Sequence, residues 1–381
     1  MDFTFDTEQQ MLCDSVARFL QNEYDFDARM KLVAAAGGGS AAIWQKFAEN
    51  GWIAASCPEE FGGFGGSVID TAIICEQFGR GLVIEPWLGS AVLGLQTLLA
   101  SDDAEAKTAL LPRLCDGSQR IAVAWSETAA RGVPNVVATT SKGEGDILRL
   151  HGTKTLVLGG VGADAYLVSV RLAGSIDARD GIALCIVEAG APGLSISPTL
   201  LHDGSLAATI TLDGANARLL QGDGLRALEA GLGYATCALC AELVGAMERA
   251  IEITADYLRT RKQFGVTIGS FQSLQHRMAD MVAELELARS MLFVALASQE
   301  NDEAETRVAT LAGAKALITG AARSICAQAI QLHGGIGMTE ECAIGHYFKR
   351  AVVADALLGG RIVQERICTA SLLGELAEAA E

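Results

Sequence analysis

MADMVAELELARSMLFVAL, residues 278–296, decides how the second half of this chain folds. Its apolar residues return at helical rather than alternating spacing. Two stretches of the same kind flank it, from Asp223 to Arg259 and from Glu303 to Leu332. The second runs into HGGIG (333–337), a helix-stopping sequence. All six prolines fall between Pro58 and Pro198, so residues 199–381 contain none. A proline-free tail rich in Ala, Leu, Glu and Arg predicts long helices.

The N-terminal part is also helical by pattern. Thr4 to Tyr24 places Met11, Leu12, Val16, Phe19 and Leu20 on one face, with Asp6 or Thr7 as N-cap. A second helix is expected from Ala41 to Gly51, followed by the glycine-rich loop SCPEEFGGFGG (56–66). From about Ile121 the pattern changes to short strands. ILRLHG, TKTLVL, AYLVSV, GIALCIVE, LSISP and AATITLDG are separated by Gly, Asp and Pro. The reading is a multidomain α+β chain: helical over 1–119, a β-barrel or sandwich over 120–221, and a helical bundle over 222–381.

Composition narrows the function. A net charge of −17 argues against nonspecific nucleic-acid binding, which needs a basic surface. No uncharged run exceeds 16 residues, so no membrane span is expected. The start MDFTFDTEQQ has neither an apolar signal core nor transit character, which makes a cytoplasmic enzyme the expectation. Ten cysteines are scattered without a framework spacing, and the CxxC of Cys237 and Cys240 has no second pair. No metal site is expected.

Three motifs carry chemistry. In RTRKQFGVTIGSFQ (259–272), Arg259, Arg261 and Lys262 cluster at a helix end, before Phe264 and Gly265. Such cations can offset a helix dipole or form an anion site suited to a pyrophosphate. Gln331 to Gly335 offers a polar side chain and close-approach backbone at another helix end, where an ordinary C-cap is equally compatible. The third is ATCALCAELVGAM (235–247), almost wholly apolar, in which Glu242 is the only acid. No GxGxxG lies between a strand and a helix, which speaks against a Rossmann site.

RTRKQFGVTIGSFQ, LQHRMADM (274–281) and QLHGGIGMTEE (331–341) together resemble the C-terminal half of acyl-CoA dehydrogenases. CPEEFGGFGG (57–66) is similar to that family's N-terminal loop, and the helix–β–helix order agrees over essentially the whole chain. AMERAIEITADYLRTRKQFG (246–265), HYFKR (346–350) and GRGLVIEPWL (79–88) look most like the small subunit of pimeloyl-CoA dehydrogenase and the paired-subunit steroid side-chain enzymes.

The resemblance implies an N-terminal helical domain, a central β domain and a C-terminal four-helix bundle. It also implies FAD, α,β-desaturation of an acyl-CoA, and transfer of electrons to an electron-transfer flavoprotein. A bulky or dicarboxylic acyl group is suggested, as is an α2β2 assembly with a homologous second chain, or a homotetramer. Arg261, Phe264, Gln272, Gln331, Gly334 and Gly335 match residues that hold the FAD diphosphate and adenine end across a subunit interface. Ser126, in WSETAARG (125–132), matches a flavin-contacting loop, whereas Leu156 stands where the family places an indole.

The family's two customary positions for the catalytic base carry Gly359 and Ala235 here. Glu242 lies two helical turns beyond Ala235. Desaturation needs a carboxylate in a water-poor site, where desolvation raises its pKa. Glu242 is therefore the expected base. The competing expectation is a buried structural carboxylate paired with an arginine such as Arg249, in a subunit that is itself inactive and completes its partner's site. Glu248, Glu252 and Asp256 read as a solvated stripe on the same helix.

Overall fold

The computed structural model describes residues 5–35, 39–143, 145, 147–301 and 303–378. It begins with helices α1 (Thr7–Glu23), α2 (Phe26–Ala34), α3 (Ala41–Glu49) and α4 (Val68–Gly81). A π-helical segment, Trp87–Gly94, runs directly into α5 (Leu95–Leu99), and α6 (Ala104–Cys115) follows. Asp6 is the N-cap of α1, in a capping box with Gln9. Val16, Phe19 and Leu20 are buried as expected, but Met11 is 67% exposed on the other side of α1. The expected start at Thr4 lies outside the described residues.

Seven strands follow: β1 (Ile121–Ala124), β2 (Thr140–Lys142), β3 (Ile147–Leu158), β4 (Ala165–Arg171), β5 (Ile182–Glu188), β6 (Leu194–Leu200) and β7 (Leu206–Leu219). β4 pairs with β2 and β5, and β3 and β7 complete the circuit, so the sheet closes into a barrel. Its interior is an alternating set including Leu150, Val168, Cys185 and Ile210. ILRLHG and TKTLVL, expected as two strands, are one strand that irregularities bend between Leu150 and His151 and between Lys154 and Val157.

The tail forms α7 (Gly224–Thr260), a β8–β9 hairpin (Lys262–Gln263 and Val266–Thr267), α8 (Gln272–Asn301), α9 (Ala304–His333), α10 (Ala343–Ala356) and α11 (Arg361–Glu378). α9 touches each of the other four helices of this bundle. By length and composition α7 is apolar enough to cross a bilayer, contrary to the reading from uncharged runs, yet it is mostly buried at the centre of the protein. It crosses α4 in near contact. A methyl group placed on Gly79 would sit 1.8 Å from the carbonyl oxygen of Glu242, and one on Gly245 equally close to that of Glu76. Only glycine permits this approach, and it fixes where Glu242 stands.

Candidate active site

A cavity of about 60 Å³ lies where α4, α7, α10 and the barrel meet, with Glu85, Trp87, Leu158, Glu242, Arg350 and Leu357 in its walls. Glu242 is buried among the apolar neighbours that the sequence indicates. Both its oxygens accept from Arg350 of α10, Oε1 from Nε at 2.6 Å and Oε2 from Nη2 at 2.9 Å. The remaining Arg350 nitrogen, Nη1, donates to Asp203 at 2.9 Å. Burial alone would lower the guanidinium's pKa, but Glu242 and Asp203 outweigh it and hold it above its ordinary value. Burial likewise pushes Asp203 up, yet Arg350 and two bonds from Ser205 leave it below the usual carboxylate range.

The expected partner of Glu242 was Arg249; that guanidinium instead reaches Glu252 at 2.8 Å, one turn along the same helix. Glu248 and Glu252 are not a simple solvated stripe either. They receive Arg80 of α4 at 2.5 and 2.8 Å, and Arg289 of α8 also reaches Glu248. Of the stripe, Asp256 keeps the expected exposure and pairs with Arg259.

Glu85 is the second carboxyl of the cavity. Its Oε2 accepts from the Tyr24 hydroxyl at 2.6 Å, and Oε1 faces the Ser40 N–H at 3.3 Å. The Tyr24 oxygen in turn accepts from the Ile84 N–H at 3.1 Å. Burial holds the Glu85 carboxyl above its ordinary pKa. Leu82, three residues earlier, has a left-handed backbone (φ 51), and its carbonyl accepts from the fully buried Arg29 at 2.8 Å.

A cleft of about 380 Å³ adjoins the cavity, and Leu158 and Leu357 line both. Its other walls include Ser126, Arg131, Leu156, Leu358 and Gly359. Arg131, Leu156 and Leu358 all have positive φ, at 48, 54 and 53°. Backbone strain of this kind clusters at ligand sites because it must be held in place by its surroundings. The supports are visible. Gln364 donates to the Leu358 and Gly359 carbonyls at 3.1 Å each, and the buried Lys315 also donates to Gly359. Beneath Ser126, Glu127 pairs with the buried Lys154 at 2.7 Å and accepts from Thr139.

The other cofactor candidates lie elsewhere. Arg261, Phe264, Gln272, Gln331, Gly334 and Gly335 are exposed on the helical bundle, and none lines the cleft that holds Ser126. The structure does bring the two motifs together. The Tyr257 ring near the end of α7 stacks on His333 at the end of α9, with centroids 4.4 Å apart, and its hydroxyl donates to the His333 carbonyl. Arg261 caps α7, and Gly334 (φ 67) caps α9. Phe264 is 91% exposed with φ 54, its ring against Phe271. Among the described residues, no carboxylate pairs with the Arg261 guanidinium.

Tyr24, Glu85, Asp203 and the pairing role of Arg350 are not foreseen in the sequence. For Glu85 a signal exists: it is the only acid between Glu76 and Asp102, the same pattern that draws attention to Glu242.

Residues 6–118 match the acyl-CoA dehydrogenase N-terminal domain and residues 222–373 the acyl-CoA dehydrogenase C-terminal domain. Acyl-CoA dehydrogenase IpdE2 of Mycobacterium tuberculosis is 32% identical, over 90% of this chain and 91% of its own. Among solved structures, the Tcur3481-Tcur3483 steroid acyl-CoA dehydrogenase superposes with a TM-score of 0.86 at 28% identity, over 97% of this chain and 99% of that one. The ChsE4-ChsE5 complex from Mycobacterium tuberculosis gives 0.86 at 26%, over 98% and 99%. The chain belongs to the acyl-CoA dehydrogenase family, oxidoreductases acting on CH–CH bonds.

Proposed function

We propose, with that membership as the premise, that this chain is one subunit of an FAD-dependent acyl-CoA dehydrogenase that desaturates an acyl-CoA thioester at Cα–Cβ. The observation that carries the proposal is the pair of voids meeting at Leu158 and Leu357. A cavity bearing carboxyls suits the acyl group, and a larger cleft edged by strained backbone suits a flat ring. The cleft fits a flavin: Ser126 supplies a hydroxyl at one edge and the Leu156–Leu158 strand end an apolar face. Bound there, FAD would accept the hydride that leaves Cβ. Arg261, with Gln331 and the Gly334–Gly335 backbone, would hold the diphosphate and adenine end of FAD bound mainly to a neighbouring chain.

The assembly we infer is an α2β2 complex with a homologous chain, with an electron-transfer flavoprotein as acceptor. The ChsE4-ChsE5 likeness and the unpaired Arg261 surface support it. The acyl group in this reading is bulky or dicarboxylic, supported by the likeness to a steroid acyl-CoA dehydrogenase.

Glu242 is the proposed acceptor of the α-proton. It stands on the cavity wall, and Arg350 must yield one of its oxygens for it to act. The same bidentate bond favours a second reading. There, Glu242 is a structural carboxylate and the homologous partner supplies the base. Glu242→Gln in the assembled, flavin-loaded complex separates them. If Glu242 is the base, turnover per flavin falls by roughly 10²–10⁴-fold with unfolding temperature and flavin content retained. Retained turnover in a folded complex assigns the base to the partner chain.

A further inference from the structure

Glu85 is 6% exposed, lines the cavity, and among the described residues has no cation within ion-pair distance. A buried carboxyl without a cation is costly unless hydrogen bonds satisfy it. Tyr24 occupies one side of Oε2, and the contact from Ser40 to Oε1 is long. Capacity for a further hydrogen bond therefore remains at the cavity face.

The wall that carries Glu85 meets the flavin cleft at its Gly89 end, which packs against the Leu158 backbone. Leu82 and Tyr24, on its far side, line an outer pocket of about 390 Å³ that shares no residue with the cleft. The only guanidinium in the cavity wall, Arg350, has Nε, Nη1 and Nη2 committed to Glu242 and Asp203. Its charge is already met by two carboxylates, and among the described residues no other cation lines the cavity.

We propose that Glu85 reads the far end of the acyl group. It accepts a neutral chain bearing a hydroxyl or carbonyl oxygen, and it rejects a chain that ends in a carboxylate. The inference rests on reading the cavity as the acyl site. Of the acyl groups proposed above it excludes the dicarboxylic class and keeps the bulky one.

The test uses the flavin-loaded complex with butyryl-, 4-hydroxybutyryl- and succinyl-CoA, measuring binding and kcat/KM for each. The wild type is expected to prefer the hydroxy ester over succinyl-CoA by at least about tenfold. Glu85→Gln keeps the hydrogen bonding and should preserve the preference of hydroxy over plain ester while admitting succinyl-CoA. Glu85→Leu should reverse the hydroxy-to-plain order. Equal ratios in the wild type and both variants, with turnover intact, would overturn the role of Glu85 while leaving the cavity as the acyl site. If no ester binds to the flavin-loaded wild type, the site assignment itself falls and this inference with it.

Discussion

Two surfaces of this molecule treat polar groups in opposite ways. At the cavity the buried guanidinium groups are met within the chain: Arg350 holds Glu242 and Asp203, and Arg29 is spent on carbonyls and His346. At the end of α7 the reverse holds. Arg261 has no carboxylate among the described residues, and Phe264 stands 91% exposed on left-handed backbone. The first region satisfies its guanidinium groups from inside the chain. The second exposes an aromatic on left-handed backbone whose ring contact within the chain is Phe271, a surface suited to something outside it.

The strongest test of this contrast is Arg350→Met. It leaves Glu242 and Asp203 buried without their cation, and breaking a buried pair from one side costs about 3–5 kcal/mol. Urea unfolding of the chain should show that loss, or the variant should fail to fold. A change of less than about 1 kcal/mol would mean that water or another cation reaches the two acids, and the cavity would not be self-contained.

The same contrast explains what the sequence could and could not tell. α8 was legible because MADMVAELELARSMLFVAL repeats at one period, and such a pattern is local. β3 was read as two strands because Gly152 looks like a turn in the sequence, yet it pairs with Leu212, and the irregularities fall on either side of it. Glu242 was legible as an anomaly, since a lone acid in an apolar helix is also local information. Its partner was not, because Arg350 is 108 residues away and only the packing of α10 brings it in. The pairing of Glu85 with Tyr24 across 61 residues was hidden for the same reason. The exposed hairpin was found by resemblance, and its connection to Gln331 appears only through the Tyr257–His333 stack.

A smaller effect separates Asp203, held by Arg350, from Glu85 by pH. Arg350 and Ser205 overcome burial to hold Asp203 below its ordinary value of 3.8, so its contribution to stability is complete above that value and is lost as the pH falls through the lower folded value. Burial holds Glu85 above 4.5, so its contribution is complete below 4.5 and declines as the pH rises through the raised folded value. Urea midpoints followed from about pH 3 to 8 should therefore show Glu85→Gln gaining on the wild type with rising pH. Both proteins should still share the acid loss. Parallel curves for the two would show that Glu85 meets solvent or a cation, and would remove its distinction from the hairpin.

The smallest stability effects are expected at the hairpin, and their smallness is the point. Arg261→Ala removes no contact that holds the chain together, so its unfolding free energy should stay within about 0.5 kcal/mol of the wild type. Phe264→Gly should be neutral or slightly stabilising, because glycine adopts positive φ without the penalty that a Cβ brings. Flavin retention in the assembled complex should respond differently. Losing a charge-assisted hydrogen bond to a phosphate costs roughly 1.5–3 kcal/mol, or about 10–100-fold in dissociation constant. The pairing of an unchanged chain with a weakened complex is what a surface built for an outside ligand predicts. If Arg261→Ala instead unfolds the chain, the guanidinium has an internal role. If flavin content is unchanged in both variants, the strain at Phe264 belongs to the hairpin turn alone.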